Sequence, residues 1–208
     1  MKKLSILLGL FKATAPQHWP RLVWYIIAWV AHRLFKVDLW GEHPLIFRDF
    51  KALVSAKGRG GLVFLHEILA NNIYDVPAIK TDKSIRTVFD AGANCGFFAL
   101  RFASESPGSL IFCFEPHPET FQHLRKNIDA NELVQRILPF NEAVGAGSGE
   151  CTINVSAESS MSIVTSSSIQ FLAAPKAVRV PMTSLDDFAG RQKLWPDYIK
   201  IDVEGFEV

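Results

Sequence analysis

Four short apolar runs in this chain stop at polar side chains that can do chemistry. Asp90 closes Thr87-Val88-Phe89, Glu115 closes Leu110–Phe114, Asn141 follows Arg136–Phe140, and Asp202 and Glu204 follow Tyr198–Ile201. In an open α/β sheet, ligands bind outside the carboxyl ends of the strands, so residues at those ends are placed to touch one. Directly after the first run comes the turn Gly92-Ala93-Asn94-Cys95-Gly96, and Glu115 stands twenty-three residues past Gly92. An acid at that distance is placed to accept hydrogen bonds from ribose hydroxyls. The pattern argues for a cofactor that contains a nucleoside.

The turn narrows the choice of nucleoside. A dinucleotide seats its pyrophosphate on a GxGxxG turn, whose second glycine lets backbone approach the phosphates. Here the turn reads GANCG, with Asn94 where that glycine would stand. S-adenosylmethionine has a ribose and no pyrophosphate, so it needs close backbone approach without a phosphate cradle. It fits this turn better than a nicotinamide dinucleotide, and an NAD(P)-dependent oxidoreductase is the weaker competitor.

These residues need strands and helices in alternation, and the chain supplies them from Arg86 onward. The order is a strand to Asp90, a helix from Phe97 to Ser104, a break at Pro107-Gly108, and a strand over Leu110–Phe114. Pro118 suits the first turn of the next helix because it lacks the N–H that would go unbonded there. That helix carries Phe121, Leu124 and Ile128 on one face, the spacing of a sheet-packing helix. Arg136–Phe140 and Tyr198–Ile201 read as further strands, and Ser184-Leu185-Asp186-Asp187 as a capped helix start. Residues 149–182 read as short strands and loops inserted before that helix. Alternation of this kind predicts an α/β fold with a parallel sheet and crossover helices.

Composition excludes some functions. Of 208 residues 49% are hydrophobic and 21% charged, ordinary for a globular chain, and a net charge of +1 argues against a nucleic-acid partner. Cys95, Cys113 and Cys151 are scattered and form no metal-ligand pattern, so we read them as reduced thiols of a cytosolic protein and expect no metal centre. The N-terminus differs from the rest: Lys2, Lys3, Lys12, Arg21, Arg33 and Lys36 precede the first acid, Asp38. Met1–Pro16 has the outline of a signal peptide, but its apolar run is short and Lys12 ends it, so we expect no cleavage. Leu22–Ala31 is too short to span a bilayer. It reads either as a core-packing helix or as a basic, Trp-bearing helix lying on a membrane surface. We therefore expect a basic, apolar helical extension over 1–42, with peripheral membrane contact through 1–37 as the sharper of its two readings. A second region, 43–208, has its α/β core from about residue 83.

Five runs in order resemble the FkbM family of methyltransferases: VFDAGANCGFFALRFA (88–103), FCFEPHPETFQHLRKNI (112–128), NEAVG (141–145), VPMTSLDDF (180–188) and PDYIKIDVEGFE (196–207). HPLIFRDF and the later FLHEILANNIYDV are similar to the family's lead-in, so the resemblance covers about residues 43–208. It implies a class I, Rossmann-like methyltransferase sheet, S-adenosylmethionine as donor, and O-methylation of a small-molecule hydroxyl, a saccharide among the acceptors. By position, Asp90, Gly92, Asn94 and Gly96 then shape the cofactor loop and Glu115 holds the ribose. Asn141, Glu142 and Ala143 line the adenine edge, and Glu67 helps with the methionine end. Asp202 and Glu204 lie next to the methyl-transfer centre.

An alcohol acceptor must lose a proton, and a nearby carboxylate can take it. Asp202 is the first choice and Glu204 the second; the same pair held on a divalent cation is the other way to activate the hydroxyl. Two readings leave Asp202 and Glu204 without chemistry, as loop-fixing residues, and treat His66 and His117 as structural. Ser159, Ser160 and Ser162 belong either to an acceptor-facing segment or to a surface loop. The family's sheet has seven strands and this chain supplies about four, so we expect a C-terminally truncated domain. The competing function is then a catalytically inactive remnant that keeps a nucleoside-binding half-site.

Overall fold

The computed structural model describes residues 8–12, 14–37, 39, 43–47, 51–54, 84–155, 162–163 and 176–203. The chain divides into two units, Met1–Asp75 and Val76–Val208.

In the first unit, residues 8–12 are helical and a 3-10 turn, Pro16–His18, leads into helix α1, Trp19–Phe35. Thr14 joins the two: its hydroxyl donates to the Leu10 carbonyl at 2.8 Å, and the Trp19 indole donates to the Thr14 carbonyl at 3.1 Å. Pro20 sits in the first turn of α1, where its missing N–H costs nothing, and Lys36 ends the helix in the left-handed region at φ 59°. The helix buries Leu22, Tyr25 and Ala28, while Trp19, Val23, Trp24, Ile27, Val30, Leu34 and Phe35 are exposed. Strands β1, His43–Ile46, and β2, Lys51–Val54, pair antiparallel with His43 opposite Val54.

The second unit is built on strands β3 (Thr87–Ala91), β4 (Leu110–Phe114), β5 (Ile137–Phe140) and β10 (Tyr198–Ile201). All neighbours in this sheet are parallel, in the order β10-β3-β4-β5. The chain runs outward from β3 to β5 and returns on the other side of β3 with β10. This reversal is a topological switch point, and open α/β sheets bind their ligands beyond the strand ends at such a point, here those of β3 and β10. The strands are apolar nearly throughout; β3 and β4 are buried as a covered parallel sheet requires, while on β10 Ile199 and Ile201 are exposed.

One face is a phenylalanine cluster. Phe89, Phe112, Phe114 and Phe140 gather around Phe188 of helix α4, Leu185–Gln192, with centroid distances to Phe188 of 5.5, 5.6, 4.8 and 4.9 Å. The opposite face carries Val88, Asp90, Ile111 and Cys113 by the two-residue period of a strand. Helix α2, Phe97–Glu105, covers it by laying Phe98 and Phe102 against Tyr198. Helix α3, Pro118–Ala130, buries Leu124 and Ile128 as its spacing predicts, and Asn127 between them. Arg136 closes α2 by donating to the Ala103 and Ser106 carbonyls at 3.1 and 2.6 Å. Ser184 caps α4 as expected, accepting from the Asp187 amide at 3.1 Å.

The segment expected to be short strands and loops forms a sheet of its own. Strands β6 (Ala143–Val144), β7 (Gly149–Val155), β8 (Ser162–Ile163) and β9 (Lys176–Thr183) are ordered β6-β9-β7-β8. β7 and β9 run antiparallel from Gly149 opposite Met182 to Val155 opposite Lys176. Ile153 of β7 and Val180 of β9 are buried together with Ala143 of β6, so one face of this sheet is a small apolar core. Gly149 and Pro181 interrupt the strand pattern locally, and only the pairing partner restores it.

Candidate functional site

The turn after β3 is closed on itself. The Gly92 and Ala93 amides donate to the Phe114 carbonyl at 3.0 and 2.9 Å, and Gly96 donates to the Ala93 carbonyl at 2.9 Å. The Asn94 amide donates to Glu115 Oε2 at 2.9 Å, and the Cys95 amide to Asn94 Oδ1 at 2.7 Å. Every amide from 92 to 96 thus has a partner inside the protein, and no row of amides is left over to cradle a phosphate. Gly92, at φ 75°, is required by tertiary packing: a Cβ there would collide with the Asp202 carbonyl. Gly96, at φ 83°, turns the chain into α2 against Leu124.

Glu115 stands at the end of β4, 6% exposed, with its second oxygen accepting from the His117 amide at 2.8 Å. Burial pushes its carboxyl up to about 7; the two backbone donors and the nearby Lys200 pull it back, and Asp90 adds to the rise. Asn141 ties the ends of β4 and β5 together by donating to the Glu115 and Pro116 carbonyls at 2.8 and 3.1 Å. Glu142 follows, half-buried, and the side chain of Ala143 is packed into the core of the second sheet. His117 caps α3: its Nδ1 accepts from the Glu119 and Thr120 amides, and burial lowers its proton affinity. Its proton therefore sits on Nε2, and its placement is structural.

Asp90 is fully buried in β3, and burial raises its carboxyl above the ordinary value. Parallel register sets Lys200 beside it. The Lys200 ammonium lies 3.1 Å from Asp90 Oδ1 and 3.7 Å from Asp202 Oδ2, and it donates to the Gly92 carbonyl at 2.7 Å. On the other side Cys113 Sγ lies 4.0 Å from Asp90 Oδ2. Burial holds the Cys113 thiol well above its usual range and Cys95 up to about 12, so neither supplies a thiolate. Asp202 differs from the other acids: its side chain is 42% exposed. Glu67, His66, Glu204, Ser159 and Ser160 lie outside the described residues. Among the described residues, no group of three His, Cys, Asp or Glu side chains is arranged to hold a metal ion.

The structure thus gathers Asp90, Gly92, Asn94, Gly96, Glu115, Asn141 and Asp202 at the carboxyl ends of β3, β4, β5 and β10. Two residues of this region were not singled out from the sequence. Lys200 is a charge in an otherwise apolar strand, two residues before Asp202 and therefore on the same face. Asn127 is an amide on the apolar stripe of α3, and it donates to the Cys95 carbonyl at 2.7 Å, pinning the turn to that helix. A polar residue where burial is expected was the available signal in both cases.

The family model described as the methyltransferase FkbM domain matches residues 90–208. Methyltransferase 1 of Beauveria bassiana is 33% identical over 86 residues, covering 41% of this chain and 33% of that protein. Methyltransferase sdnD of Sordaria araneosa is 28% identical over 83 residues, covering 40% of this chain and 31% of that one. The chain spans about a third of the length of the curated relatives it matches. Among solved structures, the SAM-dependent methyltransferase from Agrobacterium tumefaciens overlaps 52% of this chain and 35% of its own at 17% identity, with a TM-score of 0.43.

Proposed function

The chain belongs to the FkbM methyltransferase family, and on that premise we propose that it binds S-adenosylmethionine beyond the ends of β3 and β10 and methylates a hydroxyl of a small molecule, with saccharides as the first acceptors to try. One observation carries the cofactor reading. Glu115 is a buried acid at the end of β4, pinned by the turn's own Asn94 amide, and this placement supports reading it as the acceptor for ribose hydroxyls. The closed turn supports the same reading, since a cofactor without a pyrophosphate needs no free amides there.

The charge of the site suits the donor. Three acids, Asp90, Glu115 and Asp202, stand around the Lys200 ammonium, so acidic groups outnumber that cation where a cationic sulfonium would bind. When bound, the cofactor supplies an already activated methyl group. The protein's tasks are to orient the partners and exclude water. Asp202, the exposed acid of the group, is assigned to take the acceptor's proton at its carboxylate, with Glu204 as the second candidate. Glu142 and Ala143 keep their assignments as cofactor contacts, Ala143 through its backbone, because its side chain is packed into the core of the second sheet.

A second element of the proposal concerns α1. Its exposed side is apolar from Trp19 to Phe35, and the first 37 residues contain basic side chains and no acid. We assign this face to peripheral contact with an anionic lipid surface. Among the described residues, no helix is long and apolar enough to cross a membrane.

The test is calorimetric titration of the 208-residue chain with S-adenosylmethionine. Saturable binding at micromolar affinity is expected, followed by labelled methyl transfer to a panel of hydroxyl acceptors. A folded protein that binds none would sink the cofactor assignment. Binding without transfer to any acceptor would favour the inactive half-site.

A further inference from the structure

We infer that Lys200 is a positioning residue of the cofactor site, joining β3, its glycine turn and the Asp202 loop through one ammonium group. The inference rests on the proposed cofactor reading for its purpose, but not for its geometry. The residue is 6% exposed, so its charge has been taken almost entirely out of water. Such a charge is tolerated only where partners replace the lost solvent. Lys200 finds them on three different pieces of chain.

Asp90 Oδ1, at 3.1 Å, is on the neighbouring strand. The Gly92 carbonyl, at 2.7 Å, is the first of the turn. Asp202 Oδ2, at 3.7 Å, is on the loop that follows Lys200 itself. The backbone repeats the join, since the Asp202 amide donates to the Ala91 carbonyl at 3.0 Å. A Cβ at Gly92 would strike the Asp202 carbonyl, so the turn and this loop touch with no space between them.

Two roles can be told apart. If Lys200 only neutralised Asp90, removing both charges together would restore everything, because a buried pair can be replaced by neutral groups of similar shape at little cost. A positioning residue behaves differently. Without its ammonium the Gly92 carbonyl loses that donor and Asp202 loses its tether, whatever stands at position 90. Asp90→Asn is the complementary variant. It removes the buried carboxylate charge and leaves the lysine its hydrogen bond to Gly92 and its ion pair with Asp202.

The experiment compares wild type, Lys200→Met, Asp90→Asn and the double variant, without ligand and with S-adenosylmethionine. Thermal unfolding reports the charge pair, amide hydrogen exchange over 92–96 reports the turn, and calorimetry reports the cofactor. We expect Lys200→Met to lower the melting temperature and the double variant to recover most of that loss. In both, the turn amides exchange at least tenfold faster than in wild type, and cofactor affinity falls at least tenfold. In Asp90→Asn the turn keeps exchange rates within threefold of wild type.

The inference is overturned if the double variant regains turn protection and cofactor affinity to within a factor of two, or if Asp90→Asn loosens the turn as much as Lys200→Met does. Should Lys200→Met fail to fold alone, the double variant and Asp90→Asn decide the matter. Should wild type bind no S-adenosylmethionine, the proposed function fails by itself, and the exchange rates of the unliganded variants still judge Lys200.

Discussion

Glu115 is the residue whose environment makes the sharpest demands. A carboxyl held at about 7 by burial is close to half-ionised at neutral pH, yet a ribose hydroxyl donates best to the ionised form. Cofactor affinity should therefore rise about tenfold from pH 6 to pH 8, as the carboxylate fraction climbs from about a tenth to about nine tenths. Glu115→Gln should abolish that dependence, and Glu115→Ala should weaken binding at least tenfold at pH 8, where the carboxylate is ionised, and by less at pH 6, since hydrogen bonds to a charged group contribute roughly 1.5–3 kcal/mol each. Calorimetry across that range checks all three. Stability runs the opposite way with pH. The folded chain holds a proton on Glu115 that the unfolded chain releases near its ordinary 4.5. Its contribution is fully present below that value and is lost as pH rises through about 7. Denaturation at several pH values should show the decline, and Glu115→Gln should flatten it. At Asp202, replacement by Asn should spare cofactor binding and slow turnover roughly a hundredfold or more, the usual worth of a general base. Equal turnover in the two proteins would return Asp202 to a structural role.

At the scale of elements, the site depends on how α4 holds one face of the sheet. Phe188 makes edge-to-face contacts with Phe89, Phe112, Phe114 and Phe140, so a single ring clamps the three strands that end in Asp90, Glu115 and Asn141. Phe188→Ala should cost about 3–5 kcal/mol, for lost burial and the cavity left behind. A destabilisation below about 1 kcal/mol in chemical denaturation would mean that the cluster relaxes around the gap. On the other face the turn is held from α3 by Asn127 and from β10 by Lys200. Two elements far apart in sequence thus agree on where the turn lies. The second sheet adds a constraint of another kind. β6 begins at Ala143, so the chain leaving β5 is committed within three residues to pairing with β9. That fixes the path of Asn141 and Glu142 past the end of β4.

For the molecule as a whole, the open question is what meets the exposed side of α1. If it is an anionic lipid surface, the full chain should pellet with vesicles containing phosphatidylserine and stay in the supernatant when the vesicles are phosphatidylcholine alone. Tryptophan emission should shift to the blue, and binding should weaken as salt is raised. Ile27→Asp, in the middle of the exposed face, should abolish it. Equal binding to neutral vesicles would remove the requirement for anionic lipid, and a dimer in solution that Ile27→Asp splits would replace the lipid with a second copy of the chain. Much of the second unit is legible in residue order alone. The alternation of apolar runs and amphipathic stretches, the strand-ending acids, the turn, the cap at Ser184 and the stripe on α3 all follow from local periodicity and local hydrogen bonding. So does the likeness to the FkbM family, which is carried by those same short runs. What only the tertiary structure decided is lateral. No local spacing pairs Lys200 with Asp90 across the sheet, demands a glycine at 92 because the Asp202 backbone passes there, or folds 143–183 into a sheet of its own. Periodicity says which side chains are buried; it is silent on which neighbour each will meet when strands far apart in sequence are laid side by side.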